Sequence, residues 1–155
     1  MATGAVFSFL GFPGWAPLHL WLPHDGYPAG ASLVLAAAAK DRGAAAVGAA
    51  GLLSGFLRCA RQGEPLASPV LCPTCAYRYL IVYREGGACP LRISAWGREQ
   101  DGPGWSRRCA PMPLEGFLRR FHPSRPMPAP EPLSAGHAGG RADLPAGCRR
   151  PAVEA

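Results

Sequence analysis

The sequence predicts a small irregular α+β protein, and three observations carry that expectation. Tyrosine and β-branched residues alternate over 77–96 in the pattern of a β-hairpin, residues 31–59 form an alanine- and leucine-rich helical stretch, and glycine and proline punctuate most of what remains. The chain has 155 residues, long enough for one domain, and 48% of them are hydrophobic. Many of those are alanines, which bury little area, and 20 glycines and 18 prolines bring the composition close to that of loop-rich chains. A modest core is expected, in three regions: an apolar Pro/Gly-rich segment over 1–30, a partly ordered region over 31–122, and a Pro-rich basic tail over 123–155.

Residues 1–30 are apolar, but Gly11, Pro13, Gly14, Pro17, Pro23, Gly26 and Pro28 interrupt them too often for a useful helix. The expectation is an irregular, largely disordered loop whose Phe7, Phe9, Phe12, Trp15 and Trp21 need cover. The helical stretch follows, with Ser32 as a candidate N-cap, Gly43 as a dividing point, and Arg58 and Arg61 placed to complement the C-terminal dipole. Its length would suit a membrane crossing, but Lys40, Asp41 and Arg42 sit near its middle, each costing about 2.5–3.5 kcal/mol there. A membrane span is therefore not expected.

In the hairpin, Tyr77, Tyr79, Ile81 and Tyr83 share one face, and Gly86-Gly87 marks the turn. Pro90 has no N–H to offer a ladder, so the second strand should begin at Leu91. After a short basic segment, residues 113–121 read as a short helix, with Pro113 at its start, Glu115 in its first turn, and Arg119 and Arg120 in its last. The prolines from 123 to 132 favour an extended linker, and residues 134–155 read as disordered.

The net charge is +6, and Lys40 is the sole lysine, all other cations being arginine. Asparagine is absent, so a G/C-rich coding sequence explains much of the arginine excess. Such a composition also suits the product of a recent or overlapping reading frame with little stable fold. The pairs Arg107/Arg108 and Arg119/Arg120 are the candidate binding residues, suited to an anionic partner, either protein or nucleic acid.

Cys72-Pro73-Thr74-Cys75 is the sharpest motif, since two thiols at that spacing can grip one metal ion. A redox site would need the first cysteine at a helix start, whereas strand-forming residues follow here. The candidate metal ligands are Cys72, Cys75, Cys89 and Cys109 around a structural zinc, with His122 as a substitute ligand; the alternative is that these are buried or unpaired thiols and the protein has no cofactor. No positively charged leader opens the chain, so an intracellular location with reduced thiols is expected.

Pro17-Leu18-His19-Leu20-Trp21-Leu22-Pro23 resembles a motif of the antiporter-like membrane subunits of respiratory NADH dehydrogenase and related cation antiporters. The resemblance implies a membrane helix after the motif, with Lys40 in the place of a proton-pathway lysine and Ser32 as a nearby small polar residue. The intervening stretch is a few residues shorter than in that family, and the implied object is a degenerate fragment.

His19, His24, His122 and His137 have no nucleophile or carboxylate partner in their local pattern, and no phosphate-binding or nucleophile-elbow motif occurs. The expectation is a small non-enzymatic interaction or regulatory protein. A zinc-stabilised module built on Cys72 and Cys75 is its main alternative.

Overall fold

The structure is a computed structural model that describes residues 3–40, 48–72, 74–86, 88–99 and 102–123. Six strands form one sheet: β1 (Ala5–Leu10), β2 (Leu18–Leu22), β3 (Glu64–Leu66), β4 (Tyr77–Tyr83), β5 (Leu91–Arg98) and β6 (Trp105–Pro113). Among the described residues three α-helices accompany them: α1 (Pro28–Lys40), α2 (Gly48–Cys59) and α3 (Leu114–Phe121). The α+β class is as expected, but the sheet extends far beyond one hairpin.

The strand order is β3-β2-β1-β4-β5-β6, with β1 parallel to β4 and every other neighbouring pair antiparallel. A parallel pair needs a long crossover. Here β2, α1, α2 and β3 all lie in the chain between β1 and β4, and the two helices of that crossover pack against each other.

The expected irregular loop over 1–30 is corrected by β1 and β2, which lie in the middle of the sheet. Its breakers flank strands of six and five residues, four of them between the strands and Pro23 and Gly26 after the second, and so bound those strands rather than disrupt them, while Pro28 opens α1. Gly11 and Gly14, at φ 73° and 75°, supply the left-handed turns between β1 and β2. Phe7, Phe9 and Phe12 are buried, and of the aromatic residues expected to need cover only Trp15 is largely exposed, near the tip of that turn.

Alternation sets the core. Ala5, Phe7 and Phe9 of β1, Leu20 and Leu22 of β2, Tyr79 and Ile81 of β4, and Ile93 and Ala95 of β5 face the helices. Leu35 of α1, Leu53 and Phe56 of α2, and Phe117 of α3 close over them. The ring of Phe7 lies 4.7 Å from Tyr79 and 4.9 Å from Phe56, centroid to centroid, and Phe117 meets Tyr79 edge-on at 6.0 Å. The Tyr79 hydroxyl donates to the carbonyl of Gly26 at 2.8 Å, tying the turn before α1 to the central strands.

The helices start and stop close to the expected places. α1 begins at Pro28, whose fixed φ suits a first turn. Ser32 is therefore an interior residue rather than a cap; it is buried, and its hydroxyl donates to Ala29 O at 2.7 Å. Gly43, expected to divide the helical stretch, lies outside the described residues. α3 follows Pro113 directly, and Glu115 and Arg119 pair across one turn at 2.6 Å.

In the hairpin, Tyr83 pairs with Leu91 and Arg84 N–H donates to Pro90 O at 2.8 Å, so the second strand begins where Pro90 requires. The segment Pro17–Pro23 forms β2 instead of leading into a membrane helix, and α1 has 13 residues against the roughly 20 a crossing needs. No helix among the described residues is long and apolar enough to span a membrane. The expected tail over 123–155 lies, beyond Pro123, outside the described residues.

Candidate binding surface

Residues that alternate with the core set project from the other side of the sheet: Val6 and Ser8 from β1, His19 and Trp21 from β2, Arg78, Leu80 and Val82 from β4, and Arg92 and Ser94 from β5. The three helices pack on the opposite side. A loop with a short 3-10 turn at Pro69–Leu71 covers part of this face instead, building a second small cluster of Val6, Cys72 and Cys75 with Trp21, Leu66 and Trp105. The guanidinium carbon of Arg78 lies 4.1 Å from the centre of the Trp105 ring, and His19 Nδ1 meets Ser8 Oγ at 2.8 Å.

Towards the hairpin end the face is open and concave. A groove of about 510 Å³ runs there, with Leu80, Val82, Pro90 and Pro111 as apolar lining and Arg84 and Arg92 as cations. Ala88, Cys89 and Ser94 complete the lining, and among the described residues no carboxylate takes part. This volume is in the range of ligand-binding clefts. A second cleft of about 280 Å³, beside the end of α2, is smaller and carries opposite charges in Asp25 and Arg61.

The residues expected to bind zinc do not converge. Cys72 and Cys75 lie together, and the Cys75 thiol donates to the Cys72 carbonyl at 3.3 Å. Cys109 pairs with Ala95 and packs in the helix-side core, so the sheet separates it from them. Cys89 lines the groove at the hairpin end, and His122 follows α3. Among the described residues no three His, Cys, Asp or Glu side chains gather to hold a metal ion.

The paired arginines also diverge. Arg107 sits opposite Trp96, whereas Arg108 lies over Gly97, filling the space a Cβ would need there. Arg119 is tied to Glu115, and Arg120 stands 5.2 Å from the Phe121 ring centre. The arginines that do share a cavity, Arg84 and Arg92, were not singled out in the sequence. Their signal was available in the hairpin, where they flank the turn away from the tyrosine face.

Three buried acids make the fold sensitive to alkali. Burial raises the pKa of Tyr79 above its ordinary 10.0, and the neighbouring Tyr77 adds to the effect. Burial likewise raises Cys75 and Cys109 above 9.0; Arg78 opposes the rise at Cys75, while the Ala95 backbone and Arg120 oppose it at Cys109. On unfolding these groups ionise at their ordinary values, so the unfolded state binds fewer protons and stability falls as pH rises past about 9. Each group contributes at most about 1.4 kcal/mol per pH unit. Urea midpoints at about pH 8 and about pH 10.5 should show this loss. Tyr79→Phe should be less stable at the lower pH by about 1–3 kcal/mol, because Gly26 O loses its donor, but should flatten the alkaline slope. An unchanged midpoint in alkali would mean that these groups are not held neutral.

Compared with known proteins, the chain matches no family model, no curated protein and no solved structure.

Proposed function

We propose that this protein is a non-enzymatic interaction module that binds an acidic, partly apolar segment of a partner protein on the open face of its sheet. The observation that supports this reading is the groove at the hairpin end, where Arg84 and Arg92 accompany an apolar lining with no carboxylate among the described residues. Such a surface suits an extended peptide whose apolar side chains occupy the groove while its carboxylates meet the guanidinium groups. A net charge of +6 brings an acidic partner in from solution and makes the encounter salt-dependent.

Fluorescence anisotropy with a labelled peptide of alternating glutamate and leucine tests this, with a lysine–leucine peptide as control. The acidic peptide should bind and the basic one should not. Arg84→Glu with Arg92→Glu should weaken binding by about a hundredfold, or about 2.8 kcal/mol. Affinity that survives the double variant would place the contact elsewhere. Tighter binding of a single-stranded oligonucleotide, with the same arginine dependence, would reassign the partner to nucleic acid.

A further inference from the structure

We infer that Cys72 and Cys75 form a two-coordinate site for copper(I), with Arg78 as its counter-charge. Both thiols are buried, at 7% and 0% exposure, and the Cys-x-x-Cys spacing brings them onto one side of the loop that crosses the open face. Val6, Trp21, Leu66 and Trp105 pack around them and supply hydrocarbon and aromatic surface. Arg78 lies across Trp105 beside Cys75, and its Nε is buried without a hydrogen-bond partner. Arg78 is half-buried, and the enclosed, unpartnered Nε on a cation beside Cys75 favours a local negative charge.

Ligand number selects the ion. Structural zinc takes four ligands, and no third His, Cys, Asp or Glu joins this pair among the described residues. Soft thiolates suit copper(I), zinc and iron–sulfur clusters alike, and of these copper(I) is the one that two thiolates satisfy, in a linear arrangement. Two thiols and one copper(I) ion give a bis-thiolate complex of charge −1 and two released protons, with no change of oxidation state. The charge of Arg78 brings the assembly to neutral, as a site in so apolar a shell requires.

The test uses the full chain, reduced with a phosphine and kept anaerobic, mixed with copper(I) bound to a coloured chelator. The wild type should withdraw about one equivalent, and Cys72→Ser should withdraw less than about 0.1. Cys59→Ser and Cys89→Ser should behave as the wild type. X-ray absorption of the loaded wild type should show two sulfur neighbours, a readout that does not depend on how any variant folds. No withdrawal by the wild type, uptake indifferent to Cys72→Ser, or a spectrum of three or more ligands would each overturn the site. So would stoichiometric retention of zinc in preference to copper(I).

Discussion

Phe7→Ala should cost about 3–5 kcal/mol, a large share of the 5–15 kcal/mol that holds a typical domain together. Phe7 stands on the central strand and is 1% exposed. Its ring stacks on Tyr79 and meets Phe56 of α2, so truncation removes contacts from the sheet and from the helix layer at once. Neither neighbour can easily refill the space, because both rings belong to separate elements and are held by other contacts. Urea unfolding followed by circular dichroism measures the loss. Leu33→Ala is the control: Leu33 is 45% exposed on α1, and its truncation should cost under about 1 kcal/mol. Similar losses in the two variants would mean that the helices do not pack on β1 as described.

Gly26→Ala should destabilise by about 3 kcal/mol or more, although it adds one methyl group. A Cβ on Gly26 would stand 2.6 Å from Ala5 Cβ and 2.7 Å from Ala5 N, both at the start of β1. Backbone on both sides of this contact is committed. Gly26 N–H donates to Thr3 O at 2.6 Å, and Gly26 O receives the Tyr79 hydroxyl. Relief therefore requires the turn to move away from β1, breaking both bonds. Asp25 just before it already has a positive φ of 55°, and a Cβ on Gly30 would fall on the Asp25 carbonyl, so the turn has little freedom on its other side. Gly14→Ala is the contrast: Gly14 has a positive φ of 75°, which Gly26 lacks, and no atom within 4 Å, so it measures conformational strain without a clash. A loss at Gly26 no larger than that at Gly14 would refute the close packing of this turn.

Several elements could be read from the sequence because their signals lie within a few consecutive residues. The period of two over 77–83, the missing N–H of Pro90, and the charges that mark the ends of α3 each act locally, and each produced the element expected. The α+β class and the faces of the hairpin follow from them. Cys72 and Cys75 likewise meet because their spacing is local.

Tertiary structure decided what depends on distant partners. The breakers in residues 1–30 suit a loop or short strands equally well, and pairing of β1 with β4, across the whole crossover, chose the strands. β6 went unread because its ladder with β5 shifts register near Ala95, which blurs the alternation a strand would display. Moving a strand by one residue exchanges its faces, so no spacing rule could have told which face Cys109 or Arg107 would occupy. Register thus put Cys109 on the opposite face of the sheet from Cys72 and Cys75 and turned Arg107 and Arg108 apart, while the sheet collected Arg84 and Arg92 around one groove. Local chemistry determined the elements of this protein; the sheet, through register and pairing, determined which side chains share a surface.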